Sequence, residues 1–390
     1  CEEEQIAGLL HDISHTVFSH TIDHVKDDIK QSYHEIIKDK FIKRTKIKEI
    51  LSKLGFNPEM ILDEKNYLIL EKEQPDLCAD RLDYLFRDMY NLEKITKEEI
   101  FEFVKDLRKL VNRGHILNFA GGEPFLRNDM LEIIKFSSDL GFYTQIATNG
   151  WLINTKEKAK KIVESGLGGI VFSIDGSTAK THDNMRRHPG SFNRAKKAIK
   201  WLSFYRDELQ KNRPMNDRLC ISLQTVLCEL NYHEAINMIN WVDNSEIRSV
   251  HFNAVSEPNN TVHDSEWYKN EFSYLWPKDL NKFNKVLNII YEKKLSGSKI
   301  AETSAQIKAY KGYFNEPSKF VKSGPCNFDK SLTLSSTGDM FLCFNYNSIG
   351  NIRNIKLTNA WKSMATNQVR KDIRKCTKNC HFLINCYFEE

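Results

Sequence analysis

The feature that most limits the fold begins near residue 115. From there, short β-rich runs alternate with amphipathic helical stretches. The strand candidates are HILNFA (115–120), YTQIAT (143–148), GIVFSI (169–174), LCISLQTVL (219–227) and SVHFNAV (249–255). Between them lie DMLEIIKFSSDLG, TKEKAKKIVESG, FNRAKKAIKWLSFY and YHEAINMINWVD, whose apolar residues recur at three- and four-residue spacing. Gly141 and Gly166 fall where a helix ends and the chain must turn left-handed. Such alternation predicts a parallel sheet or barrel rather than hairpins. A further helix is expected at 279–295, then a hairpin-like SLTLSSTGDMFLCF and a short helix around 356–366. Residues 1–110 instead read as nearly all helix, with helical spacing in YLFRDMYNL and EEIFEFVKDL. The opening CEEEQIAGLLHD is already mid-pattern with no N-cap, as in a fragment.

Composition narrows the classes. The 390 residues suit two or three domains, and 41% hydrophobic with 28% charged residues suits a globular protein with a real core. No apolar run approaches the roughly 20 residues a membrane helix needs, and no secretory signal is visible, so a cytoplasmic location without a membrane partner is expected. A net charge of +5 is mild, and KAKKIV and RAKKAIK read as solvated helix faces, not as a nucleic-acid surface. Of nine cysteines, Cys326, Cys343, Cys376, Cys380 and Cys386 crowd the C-terminal end. Without a secretory signal, that clustering points to metal binding more than to disulfides.

The strand ends carry the first constellation. GGEP (121–124) follows the first strand candidate, and later strands end in ATNG (147–150), SIDG (173–176) and QTVL (224–227). Glycines at the C-terminal end of a strand let backbone approach a ligand, and open sheets and barrels bind ligands at this edge. GGEP, TNG, SIDG and then HDNMRRHPGSF resemble, in order, the radical S-adenosylmethionine (radical SAM) enzymes with a SPASM or twitch extension. The resemblance runs from about 115 to 390. It implies that Gly121, Gly122, Glu123 and Pro124 form the loop that holds the cofactor's amino group. It also implies that Thr148, Asn149, Ser173 and Asp175 contact cofactor or substrate, and that Arg186 meets the cofactor carboxylate. The family binds a [4Fe-4S] cluster on a C-x3-C-x2-C loop after its first strand. This chain has no cysteine between Cys78 and Cys220, so the first strand and cluster loop are expected to be missing and radical generation is in question.

The C-terminal cysteines are spaced C-x11-G-x4-C, through Gly338, and then C-x3-C-x5-C. The resemblance implies one auxiliary [4Fe-4S] cluster held by Cys326, Cys343 and two or three of Cys376, Cys380 and Cys386, with zinc as the competing metal.

A second constellation lies upstream. LLHDISHTVFSHTIDHV places His11 and His15 on one helical face beside Asp12, YHEII carries His34 and Glu35, and ADRLDYLFRDMY aligns Asp80, Tyr84 and Asp88. HDISHTVFSH and DRLDYLFRD resemble the HD-domain phosphohydrolases, in the branch with the deoxynucleoside triphosphate triphosphohydrolases. That resemblance implies His11, Asp12 and Asp80 as ligands of a divalent metal. It implies His15, Asp23, His34 and Glu35 as the catalytic group, and Arg81, Tyr84 and Asp88 near the substrate. No histidine precedes His11 in this sequence, so the family's four-ligand site is reduced to three. Weak metal retention and little hydrolysis are expected.

The expected architecture is multidomain. An all-α HD-like segment (1–112) precedes an α/β partial (β/α)6, TIM-barrel-like radical SAM barrel (113–310) and a small cysteine-rich α+β tail (311–390). The implied partners are a peptide or small molecule for the barrel and a nucleotide or phosphoester for the HD segment. Three alternatives stand beside this: a composite of two joined genes, a SAM-binding module without catalysis, and a barrel whose missing cluster a partner chain supplies. His182, His188, His251 and His381 read as structural or surface histidines.

Overall fold

The computed structural model describes residues 40–63, 94–257, 266–270, 272–317 and 326–377, with 3, 6, 7, 10, 38, 66, 67, 384 and 385. The chain divides into two compact units, Cys1–Glu93 and Lys94–Glu390. In the smaller unit, α1 (Ile47–Lys53) and α2 (Pro58–Leu62) pack Leu51 and Ile61 with Ala7 and Tyr67. Asn57 caps α2 by accepting from the Glu59 amide, ahead of a first-turn proline. All ten residues of the HD motif (His11, Asp12, His15, Asp23, His34, Glu35, Asp80, Arg81, Tyr84 and Asp88) lie outside the described residues. An all-α HD-like segment is therefore not shown by the short elements that are described.

The larger unit opens with α3 (Lys97–Arg108), started by a complete capping box between Thr96 and Glu99. Then come β1 (Ile116–Phe119), α4 (Met130–Asp139), β2 (Tyr143–Thr148), α5 (Lys156–Glu164) and β3 (Gly169–Ser173). They are followed by α6 (Ala179–Arg186), α7 (Ser191–Leu209), β4 (Cys220–Leu227), α8 (Ala235–Asp243) and β5 (Ser249–Ala254). The five strands form one parallel sheet in the order β1-β2-β3-β4-β5. All five expected strands are found within a residue of their sequence bounds, and Gly141 and Gly166 take φ of 89° and 84° after α4 and α5. Next, α9 (Leu280–Leu295) leads to a parallel bridge between Val250 and Ile300 that extends the sheet beyond β5. α10 (Ser304–Asn315) follows.

The sheet has two chemically different faces. Ile146, Ile170, Phe172, Ile221, Leu223, Val250 and Phe252 point to one face and are buried with Ile162, Ala198, Leu202, Ile239 and Leu287 of the helices. Alternate residues point the other way and are mostly polar or small. Asn118 pairs with Gln145, Ser222 with Ser249, and Ser173 with Gln224, which in turn pairs with His251. A helix-covered apolar face outside a parallel sheet is what a TIM-barrel-like α/β fold requires, and the polar second face departs from the apolar packing usual inside such barrels.

The tail forms a small antiparallel sheet, β6 (Thr333–Leu334), β7 (Asp339–Phe341) and β8 (Gly350–Asn351), with α11 (Leu357–Lys362) and α12 (Met364–Lys375). The expected hairpin is present. The expected single helix is two, because Ser363 ends α11 and caps α12 by accepting from the Thr366 amide. The core of this region joins Met340, Leu342 and Cys343 to Ile100, Phe103 and Val104 of α3 and to Ile133 and Phe142.

Candidate functional site

Glu123 ties two of the expected strand-end segments together. Its Oε1 accepts from the Phe125 amide at 3.2 Å and from Thr148 Oγ1 at 2.8 Å. Its Oε2 accepts from the Asn149 amide at 2.9 Å and from Thr148 Oγ1 at 3.0 Å. The GGEP loop after β1 is thereby locked onto the TNG end of β2. A carboxylate accepts about four hydrogen bonds, so three donors leave room for one more. Gly121 takes φ of 127°, and a Cβ placed on Gly121 or Gly122 would meet nothing within 4 Å. The loop backbone thus fronts open space beside an anchored carboxylate, a setting that suits an ammonium donor. Lys158 of α5 lies near; burial lowers its pKa, opposed by the Glu123 charge.

The SIDG end of β3 is built differently. Asp175 is buried, and its Oδ2 lies 2.7 Å from Arg186 Nε. Its amide donates to His182 Nδ1 at 3.0 Å, and its carbonyl accepts from Asn231 Nδ2 at 3.0 Å. His182 is buried, and that burial lowers its pKa even though Asp175 opposes the shift. A neutral ring accepting at Nδ1 carries its proton on Nε2. Arg186 thus faces Asp175, with its guanidinium still part-exposed. Ser173 ends β3 on the polar face, in register with Gln224.

Glu234 is the main feature that motif reading missed. It sits between β4 and α8, buried, and its carboxylate accepts from the Ser177 amide and hydroxyl at 2.5 and 2.8 Å. It also accepts from the Thr178 amide at 3.1 Å, the Thr178 hydroxyl at 2.9 Å and the Thr181 hydroxyl. Burial pushes this carboxyl up, but the hydroxyl and amide donors outweigh it and hold the group below its ordinary value. The Asp183 of HDNMRRHPGSF likewise accepts from the Gly190 and Phe192 amides and the Ser191 hydroxyl, which caps α7. No local signal marks Glu234, because its partners lie 53 to 57 residues away.

The other histidines are in distinct places. His188 is exposed and its ring lies 4.2 Å from Trp151. His251 stands part-exposed on the polar sheet face, and His381 lies outside the described residues.

Of the tail cysteines, Cys326 precedes a short 3-10 turn, Cys343 is buried after β7, and Cys376 ends α12. Cys326 and Cys376 are free thiols, and Cys380 and Cys386 lie outside the described residues. Cys326 packs on the core that contains Cys343, and both Cys343 and Cys376 act on Tyr346, whose hydroxyl is pushed upward by burial and by its contact with Cys376. Thiolates here have the donor chemistry for an iron–sulfur cluster, although no three metal-binding side chains converge among the described residues. The cluster that would cleave S-adenosylmethionine does not fit this chain: the stretch that matches its family contains Cys78 and no other cysteine.

Comparison with known proteins agrees with this geometry. Residues 78–206 match the radical SAM superfamily and residues 326–387 match an iron-sulfur cluster-binding domain, SPASM. The AdoMet-dependent heme synthase of Methanosarcina barkeri is 37% identical over 109 residues, 28% of this chain and 30% of that protein. The metal-dependent phosphohydrolase cns2 of Cordyceps militaris is 41% identical over 107 residues, 27% of this chain and 31% of that protein. The chain spans less than half the length of the curated relatives it matches first. Among solved structures, anSMEcpe with bound AdoMet and Kp18Cys peptide shares the fold, with a TM-score of 0.51 at 19% identity over 75% of this chain and 80% of that one.

The fold therefore defines a TIM-barrel-like α/β protein with a parallel sheet. The chain carries a radical SAM domain and a C-terminal SPASM domain. Among the described residues, no helix is long and apolar enough to cross a membrane.

Proposed function

We propose that this chain binds S-adenosylmethionine at the GGEP–TNG edge of its parallel sheet and holds one auxiliary [4Fe-4S] cluster in its tail. On this reading Gly121, Gly122, Glu123 and Pro124 receive the methionine amino group. Thr148, Asn149, Ser173 and Asp175 line the cofactor and substrate side, and Arg186 offers its remaining N–H groups to the carboxylate. Bound S-adenosylmethionine would supply radical chemistry to a substrate only where a three-cysteine loop held a reducing cluster beside it. The three-cysteine loop is absent here, so the chain alone binds the cofactor without cleaving it. The carrying observation is the double anchoring of Glu123 to Thr148 and Asn149 beside the unobstructed Gly121 and Gly122. A peptide substrate is supported by the peptide held in anSMEcpe, and a small molecule by the heme synthase relative.

Calorimetric titration of S-adenosylmethionine into anaerobically reconstituted protein tests this, with 5′-deoxyadenosine measured in parallel under reductant. Saturable binding without 5′-deoxyadenosine is expected. Glu123→Gln should weaken binding about tenfold, the loss of roughly one charge-assisted hydrogen bond. Absence of binding overturns the cofactor site, and 5′-deoxyadenosine made by the chain alone overturns the non-cleaving assignment.

A second reading is supported by the cns2 relative. Residues 1–112 are an HD-type segment in which His11, Asp12 and Asp80 hold a divalent metal. His15, Asp23, His34 and Glu35 handle the phosphate, and Arg81, Tyr84 and Asp88 contact a nucleotide. Metal-dependent phosphate release from a nucleotide that disappears in His11→Ala would support this reading, and release unchanged by His11→Ala would overturn it.

A further inference from the structure

Glu302 is anomalous. It follows the Val250–Ile300 bridge, is buried, and its Oε2 has no hydrogen-bond partner among the described residues. An orphaned buried carboxylate oxygen is costly and needs a reason. Its other oxygen lies 3.8 Å from His251 Nδ1, about 1 Å beyond a hydrogen bond. His251 is on β5 with its side chain 38% exposed, in register with Gln224 and, through it, with Ser173 at the end of β3. His251 Nε2 lies 3.4 Å from Ser249 Oγ. Ser249 Oγ lies 3.1 Å from Ser222 Oγ, which lies 3.8 Å from Cys220 Sγ. The period-two geometry and the Ser222–Ser249 pairing place this row on the polar face, rising from the first residues of β4 and β5 toward the level of Ser173.

We propose that His251 and Glu302 form a proton-transfer pair on the ligand face of the sheet, with His251 exchanging a proton with a heteroatom of the bound substrate. Glu302, which is sealed from the face, positions and supplies His251. Once the 3.8 Å separation closes by about 1 Å, the Glu302 carboxyl proton passes to His251 Nδ1 as the Nε2 proton passes to the substrate heteroatom, leaving a Glu302 carboxylate, a neutral imidazole protonated at Nδ1 and a protonated substrate. No electron is transferred. The groups around the pair are compatible with one shared proton. Burial pushes Glu302 up to about 8, against the Phe252 amide, its own amide and Lys294 of α9, while burial lowers His251. Lys294 itself is tied to the Ile300 carbonyl at 2.8 Å, and Tyr310 of α10 donates to the Phe252 carbonyl. Tyr143 of β2, beside Cys220, is pushed up to about 12 by burial and stays protonated.

The pair is independent of the cofactor assignment, so its test needs no cofactor. The His251 ring resonance, assigned among the 12 histidines by its loss in His251→Gln, is followed by NMR against pH in the full chain. In parallel the Glu302 carboxyl carbon is followed in the wild type, assigned by its loss in Glu302→Gln. Both signals should share an inflection, and Glu302→Gln should abolish it at His251 and move the remaining His251 midpoint by about one pH unit or more. A His251 curve unchanged by Glu302→Gln overturns the proposal. If that variant does not fold, Glu302→Asp supplies the carboxyl assignment. A carboxyl that titrates in the ordinary range without a matching inflection at His251 overturns it equally.

Discussion

Glu302 shows how one side chain can set the pH response of a domain. Its folded pKa, about 8, lies above the ordinary 4.5 because burial disfavours the carboxylate. The folded state therefore holds this proton more tightly than the unfolded chain does. The stability it contributes is fully present below about pH 4.5 and is lost as pH rises through about 8. Between pH 5 and 9 the wild type should lose on the order of 4 kcal/mol by urea titration, and Glu302→Gln should flatten that slope. Equal slopes would remove the case for a protonated buried carboxyl. Residues of this kind are hard to read from sequence. Glu123 was legible because GGEP is a local pattern at a strand end, whereas Glu302 has meaning only through a bridge to a strand some 50 positions earlier.

At the level of elements, the strands and most helices were legible because their signal is local: period two in YTQIAT, period 3.6 in KEKAKKIVE. α6 (Ala179–Arg186) was not, since AKTHDNMR presents only His182 to the core. Its start is set instead by Thr178 as N-cap and by Glu234, whose carboxylate gathers Ser177, Thr178 and Thr181. Glu234→Ala leaves these donors facing a void, and should cost about 2–4 kcal/mol in a denaturant titration. Because the Glu234 carboxyl is held low, its contribution is present above the ordinary carboxylate range and falls away as pH drops through its depressed value. The wild type and Glu234→Ala should accordingly converge in strongly acidic solution, and a constant difference at every pH would contradict this role.

Across the larger unit, the first helix and the tail are one construction. Glu99 of α3 pairs with Arg353 at 2.7 Å, Asp106 accepts from the Thr358 amide at 2.8 Å, and the Ile95 amide donates to the Ser336 carbonyl. These contacts join positions about 250 residues apart, and α3 shares its apolar core with β7 and Cys343. A helix that sequence alone places with the upstream helical stretch is thus packed with the sheet and tail, which no local periodicity reveals. The tail cysteines are held by this frame. Cys343 is buried against the core that α3 completes, Cys326 packs on it, and Cys376 closes α12 beside Tyr346. If these thiols ligate a cluster, Cys326→Ala with Cys343→Ala should abolish bound iron and sulfide and bleach the sulfur-to-iron absorbance of the anaerobically reconstituted protein. Glu99→Gln with Arg353→Gln, which loosens the frame without removing a thiol, should lower iron retention only in part. Iron undiminished by the double cysteine substitution would place the metal elsewhere, and zinc retained in place of iron would make the tail a structural metal site. The cysteine pair reads ligation and the Glu99–Arg353 pair reads scaffold, so a loss confined to the first separates chemistry from folding.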